Sequence, residues 1–101
     1  MGTKSNLFSV VPSTIRVMSN REHLIEACNL ALQGEWDASH RIAQDYSDPI
    51  ANWIHAVLHK IEGDVWNSNY WYARTAGKRY EDFRDANEEL KAIQNILKEM
   101  P

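Results

Sequence analysis

Two histidines and a glutamate are spaced so that one flank of a helix can present them together. His55 and His59 lie four residues apart, and Glu62 follows three residues later. At about 100° per residue these three side chains fall within about 60° of one another. Imidazole and carboxylate groups are common ligands of zinc and other divalent metals, and His40 could join them if two helical hairpins stack. We define the histidine cluster as His40, His55, His59 and Glu62.

The sequence leaves three interpretations of the histidine cluster. The segment reads H-A-V-L-H, so it lacks the glutamate that acts as general base in H-E-x-x-H proteases. A structural role is the interpretation that the sequence favours, with the imidazoles hydrogen-bonded to neighbouring helices, for example to Asp64, Asn67 or tyrosine hydroxyls. A divalent metal site is one alternative, and an acid–base or small-ligand site is the other.

Aromatic residues are concentrated in the middle of the chain, where eight of the ten lie between positions 36 and 80. Three of them are consecutive, and side chains about 100° apart on a helix cannot all face one core. Because Trp, Tyr and Arg dominate the hot spots of protein interfaces, a partner could bind here. The alternative is that these rings cover a thin stack of helices. The predicted interaction surface comprises Trp53, Tyr70, Trp71, Tyr72 and Arg74.

Capping residues and glycines predict five helices around these side chains. Ser19 to Glu22 has the S-x-x-E spacing of a capping box, and Gly34 is placed to end the first helix. Asp48-Pro49 predicts the start of the third helix, with Asp as N-cap and Pro in the first turn. The predicted helices cover about 19–33, 35–46, 49–62, 64–76 and 79–99, with Gly63 and Gly77 ending the third and fourth. No segment has the pattern of a strand, so the predicted fold class is all-α.

Residues 1–18 have no helical period, and we predict that they form an extended or disordered N-terminal arm. A single helical domain is predicted over residues 19–101. Pro12 and Arg16 interrupt the short apolar run near the start, so no signal peptide is predicted. No apolar run approaches the ~18 residues of a membrane span, and we expect a cytoplasmic protein.

Composition narrows the partners further. The net charge of −3 argues against a protein that binds nucleic acid by neutralising phosphates. Cys28 is the single cysteine, which excludes an intrachain disulfide, and its place on an apolar helix face predicts a buried, inert thiol.

An internal repeat has a period of 29 residues. The segment 34–39 aligns with 63–68, and each copy has a glycine, an acidic residue and a serine at the fifth position after the glycine. This is the pattern of stacked helical hairpins that are each too thin to bury their own face. The run Gly63-Asp64-Val65, with Ser68 and Trp71-Tyr72, resembles the second helix of tetratricopeptide and Sel1-like repeats.

A closer resemblance, over about residues 24–97, is to a group of small, uncharacterised bacterial all-helical proteins of similar length. It implies the helical fold and no particular activity. The residues that carry it are Gly34-Glu35-Trp36-Asp37, His40, Gln44, Trp53-Ile54-His55-Ala56, Leu58-His59, Glu62-Gly63-Asp64, Asn67, Tyr70-Trp71-Tyr72, Ala76-Gly77, Glu89 and Ile93.

These observations predict an all-α domain of stacked helical hairpins that resembles tetratricopeptide repeats. The function we favour from the sequence is a non-catalytic interaction module that binds a protein partner or a second copy of itself. Neither nucleic acid nor membrane is an expected partner, and no cofactor is expected. The alternative is a protein, enzymes included, that binds a small ligand or a divalent metal such as zinc through the histidine cluster.

Overall fold

The computed structural model describes residues 18–101, so the predicted arm lies outside the described residues except for Met18. Within 18–101 the fold contains helices and no strand, which confirms the all-α class. None of the described helices is both long and apolar enough to cross a membrane. The elements are α1 (Asn20–Leu32), α2 (Trp36–Ala43), α3 (Pro49–Ile61), α4 (Val65–Tyr72), a 3₁₀-helix (Tyr80–Asp82) and α5 (Ala86–Glu99).

The starts of α1 and α3 follow the predicted caps. The Ser19 Oγ accepts from the backbone N–H of Glu22 at 3.1 Å, and the Glu22 carboxylate accepts from the backbone N–H of Ser19 at 2.9 Å. Asp48 caps α3 by accepting from the backbone N–H of Ala51 at 3.2 Å. Each cap pairs an amide that the first helical turn leaves without a partner.

The two hairpins, α1–α2 and α3–α4, turn in the same way. Gly34 and Gly63 adopt φ values of +84° and +82°, in the left-handed region that glycine enters without a Cβ clash. The backbone N–H after each glycine bonds back to the preceding helix, over 2.8 Å in the first hairpin and 2.9 Å in the second. Both turns therefore end one helix and reverse the chain within three residues.

A buried serine joins the helices of each hairpin. Ser39 on α2 donates to the carbonyl of Ala27 on α1, and Ser68 on α4 donates to the carbonyl of Ala56 on α3, both over 2.7 Å. Both serine side chains are fully buried. Donors and acceptors in the two hairpins are 29 residues apart, so the same bond recurs at the period of the sequence repeat.

We expect Ser39→Ala and Ser68→Ala each to lower the free energy of unfolding by about 1 kcal/mol, the net value of one such hydrogen bond. Urea denaturation measures this loss. Ser47→Ala is the matched control because Ser47 is exposed, and its effect should stay within about 0.5 kcal/mol. A large loss for one buried serine and none for the other would show that the hairpins are not energetically equivalent.

The chain between α4 and α5 departs from the prediction. The helices predicted over about 64–76 and 79–99 are wrong between residues 73 and 85, where the chain forms turns and the short 3₁₀-helix. Thr75 closes a turn, because its hydroxyl donates to the carbonyl of Tyr72 and accepts from the backbone N–H of Lys78. Asp85 then caps α5 by accepting from the backbone N–H of Asn87 at 2.8 Å. These local side-chain bonds compete with the helical ones.

Helix α5 packs across α1 and α3 rather than continuing the order of the hairpins beyond α4. Its side chains Leu90, Ile93 and Leu97 are buried in the core. Gln94 donates to the Asn29 side chain on α1 at 2.5 Å. Helix α3 is the centre of the domain, since it contacts every other α-helix and each residue from 51 to 59 is buried. Cys28 is buried, as predicted, and burial raises the pKa of its thiol to about 12.

A fully buried carboxylate lies where α3, α4 and α5 meet. Glu89 accepts from the Trp53 indole at 2.8 Å, the Tyr72 hydroxyl at 2.7 Å and the Lys60 ammonium at 2.7 Å. Burial, followed by the bond to Glu89, raises the pKa of the Tyr72 hydroxyl above its usual range. Three donors compensate the desolvation of this charge.

Lys60 also holds the segment between α4 and α5. Its ammonium donates to the carbonyls of Tyr80 at 2.9 Å and Phe83 at 3.1 Å, besides the bond to Glu89. The Lys60 side chain is only 7% exposed. Lys60 of α3 therefore connects the segment between α4 and α5 to both α3 and α5.

Candidate functional site

Helices α2 and α3 bring three histidines together. His55 and His59 lie one turn apart on α3, and His40 extends from α2 towards them. The ring centroids of His40 lie 4.5 Å from His55 and 5.4 Å from His59, and those of His55 and His59 are 5.0 Å apart. One ring nitrogen of each residue lies within 4.8 Å of the others. Stacking of the hairpins thus produces the convergence that the sequence analysis considered for His40.

Two tryptophans stack on two of the three imidazoles. Trp36 on α2 stacks on His40 at 4.7 Å, and Trp71 on α4 stacks on His55 at 4.0 Å. The Trp36 indole donates to the Leu58 carbonyl at 2.7 Å, which fixes it against α3. Trp36 was not among the predicted site residues. Its signal in the sequence was its place four residues before His40, one helical turn away.

Glu62 orients one of the histidines. Its carboxylate lies 3.0 Å from the Nδ1 of His59, so a neutral His59 donates Nδ1–H to Glu62 and keeps its lone pair on Nε2. A carboxylate in this position is the usual partner of a metal-ligating histidine. Of the four predicted cluster residues, three therefore face one another and the fourth supports His59 from behind.

Asp64 lies near His59 and Glu62, but its carboxylate has other partners. Ligand atoms of His59, Glu62 and Asp64 lie within 4.8 Å of one another. Asp64 accepts from the backbone N–H of Asn67 at 3.1 Å and from its side-chain amide at 2.7 Å. These bonds lower the pKa of the Asp64 carboxyl and make it the cap of α4.

The structural role favoured by the sequence lacks its predicted bonds. Within residues 18–101, neither His40 nor His55 hydrogen-bonds to Asp64, Asn67 or a tyrosine, and His59 bonds to Glu62 instead. His55 is 5% exposed, and its ring is packed against other rings. Buried polar groups usually have a hydrogen-bond partner, and the folded state is less stable when they do not.

The surroundings of His40 and His55 favour the neutral form of these two imidazoles. Burial lowers the pKa of His55 to about 4, and His40 and His59 lower it further as neighbouring histidines. Burial also lowers the pKa of His40, as does His59, whereas Glu62 and Asp37 act in the opposite direction. Neutral imidazole is the form that binds a metal, so binding at pH 7 displaces no proton from these two rings.

Acidification should destabilise the metal-free protein through His55. Its pKa is lower folded than unfolded, so the unfolded state binds the proton first. The stabilisation that comes from neutral His55 is therefore fully present above about pH 6.5, and it is lost as the pH drops towards 4. Urea denaturation in the presence of chelator measures the free energy of unfolding of the wild type and of His55→Phe at each pH. The phenylalanine variant should lose less stability than the wild type over the same pH range. Parallel losses in both proteins would assign the acid sensitivity to other groups.

The three histidines are close enough to share one ion. A tetrahedral ion with metal–nitrogen distances of about 2.0–2.1 Å holds its ligands about 3.3 Å apart. The nitrogens here lie within 4.8 Å of one another. Side-chain rotation of His40 and His59, whose rings lie nearer the surface than that of His55, can supply the remaining contraction.

The predicted interaction surface divides between the interior and the exterior. Trp53 and Tyr72 are 4% and 3% exposed and bond to Glu89, so they belong to the core. Trp71 covers His55, while Tyr70 is exposed and has the Arg74 guanidinium 3.6 Å above its ring. Side chains at successive positions of α4 thus point in different directions, as predicted.

Sequence reasoning missed the most exposed tryptophan. Trp66 is 74% exposed and stacks on Tyr70 at 5.9 Å. It lies at the position of the second hairpin that Asp37, a polar residue, occupies in the first, and this contrast was the available signal.

No protein-family model, no curated protein and no solved structure matches the chain. The resemblances to helical repeats and to small bacterial proteins stay predictions.

Proposed function

We propose that this protein binds a divalent metal ion, zinc above all, through His40, His55 and His59. The observation that carries the proposal is the convergence of three imidazoles from two hairpins, with donor nitrogens within 4.8 Å of one another. Two of the three rings have no hydrogen-bond partner among residues 18–101. An ion would satisfy all three at once, and imidazole is a ligand that suits zinc, copper, nickel and iron.

Charge around the cluster supports a cation. Histidine binds a metal as neutral imidazole, so the three ligands would add no charge of their own, and Glu62 lies directly behind His59. Asp37 is close enough to His40 to influence its pKa. These carboxylates would offset part of the double charge of an ion without occupying its coordination positions.

Calorimetric titration of chelator-treated, tag-free protein with Zn²⁺ tests the proposal. We expect one ion per chain in the wild type and loss of binding in His55→Ala. His40→Ala should lose binding too, and because His40 is only partly buried this variant separates loss of the site from loss of the fold. Circular dichroism checks that each variant is folded.

His23→Ala is the matched control. His23 is the one histidine of the sequence outside the histidine cluster, and its ring pairs with the Tyr46 hydroxyl. The His23→Ala variant should bind zinc as the wild type does. Failure of the wild type to bind, or equal binding by His40→Ala and His55→Ala, would contradict the proposal.

A second candidate is the interaction module favoured by the sequence, here with a second copy of the chain. Large apolar side chains are exposed near the start of α4: Ile61 at 43%, Val65 at 50%, Trp66 at 74% and Tyr70 at 40%. Sedimentation equilibrium of the wild type and Trp66→Ser tests self-association. A dimer that weakens in the variant supports this function, and a monomer at every concentration excludes self-association.

A further inference from the structure

We infer that an ion held by His40, His55 and His59 keeps a coordination position open for water and hydrolyses small aryl esters. This inference rests on the proposed metal site. Structural zinc sites are closed by four protein ligands, whereas catalytic sites have three and a water. Among the described residues, only these three form a group with mutually close nitrogens.

Two of the neighbouring carboxylates already have partners. Glu62 pairs with the Nδ1 of His59, and both oxygens of Asp64 accept from Asn67. These two carboxylates are thus engaged in holding a ligand and in capping α4. A tetrahedral ion would complete its shell from solvent.

The open position faces the surface. His55 and His59 are 5% and 9% exposed, and His40 lies nearer to solvent on α2. An ion above His55 would therefore have its fourth position on the solvent side of the cluster. Three neutral ligands leave the charge of the ion undiminished, and this lowers the pKa of a zinc-bound water to about 7.

The reaction needs only water and the ester. The bound water loses a proton to solvent, and its oxygen forms a bond to the acyl carbon. The bond between that carbon and the aryl oxygen then breaks, and the phenolate leaves with the electron pair. The phenolate takes up a proton from solvent in place of the one that the water released. The products are a carboxylic acid and a phenol, and nothing is oxidised or reduced.

Indole rings beside the histidines indicate the aryl class of substrate. Trp36 stacks on His40 and Trp71 stacks on His55, and both tryptophans are only partly buried. Flat aromatic groups stack on such rings. A phenyl ester would thus place its acyl carbon close to the ion while its ring contacts an indole.

Release of nitrophenolate from 4-nitrophenyl acetate by the zinc-loaded chain tests the inference. We expect a rate at least about tenfold above those of metal-free protein and free Zn²⁺, over many turnovers, rising with pH through about 7. Dipicolinate should abolish the activity and added zinc should restore it. This reversal distinguishes metal catalysis from acylation of lysine or histidine side chains.

Variants separate the two proposals. His23→Ala should keep zinc and activity, and His40→Ala should lose both. Zinc bound at one ion per chain without ester hydrolysis would overturn this inference and leave the proposed metal site standing. Absence of zinc binding would overturn both.

Discussion

Glu89→Ala should lower the free energy of unfolding by about 3–5 kcal/mol, the range for removing one partner of a buried ion pair. The side chain is fully buried and accepts from three donors. Its removal leaves the Lys60 ammonium and the donors of Trp53 and Tyr72 in the interior with fewer partners. Urea denaturation followed by circular dichroism measures the loss.

The neighbouring glutamate offers the control for this prediction. Glu88 is 63% exposed and lies 3.6 Å from Lys91, so Glu88→Gln should change stability by less than about 1 kcal/mol. Lys60→Met combined with Glu89→Gln should cost less than the sum of the single changes, because it removes both charges together. Additive losses, or equal losses at positions 88 and 89, would show that the buried charge pair is not what stabilises this region.

Zinc should raise the thermal midpoint of the wild type by about 10–20 °C at a free concentration 100 times the Kd. Binding to the folded state alone contributes about 2.7 kcal/mol under these conditions, and each kcal/mol shifts the midpoint of a domain this small by about 4–8 °C. The ligands come from α2 in the first hairpin and α3 in the second, so the ion would join the hairpins. Differential scanning calorimetry with and without zinc measures the shift.

Two variants and a second ion test whether the effect of zinc on the thermal midpoint is specific to the histidine cluster. The thermal midpoint of His40→Ala should not shift, since the first hairpin then contributes no ligand to the ion. The midpoint of His23→Ala should shift as that of the wild type does. Mg²⁺ prefers oxygen ligands and should leave the midpoint unchanged. An equal rise for His40→Ala would indicate binding elsewhere.

Local chemistry explains the parts of the fold that the sequence predicted. Ser19, Asp48 and the two glycines at 34 and 63 act within a few residues of their own positions, so their caps and turns could be predicted without knowledge of the tertiary structure. The pairing of His55 with His59 is equally local, because it follows from the period of one helix. The contribution of His40 depended on the stacking of hairpins, which the 29-residue repeat indicated.

Long-range contacts explain what the sequence did not predict. Glu88 and Glu89 are adjacent and chemically identical, and only the packing of α5 against α3 buries one and exposes the other. The aromatic pattern similarly contained no sign that Trp53 would bond to Glu89 while Trp66 faced solvent. The helix predicted over about 79–99 is wrong before Ala86. In that part of the chain the carbonyls of Tyr80 and Phe83 accept hydrogen bonds from Lys60, which is far away in the sequence.

The burial of nine consecutive residues on α3 has a consequence for mutational tolerance. A surface helix resists changes at every third or fourth position, where its side chains face the core, and this gives a periodic profile in a saturation scan. From Ala51 to His59 no side chain is exposed, because α3 contacts each of the other four α-helices. A saturation scan for folded protein should therefore show that substitutions are poorly tolerated at every position from 51 to 59. Tolerated substitutions should fall on the other helices.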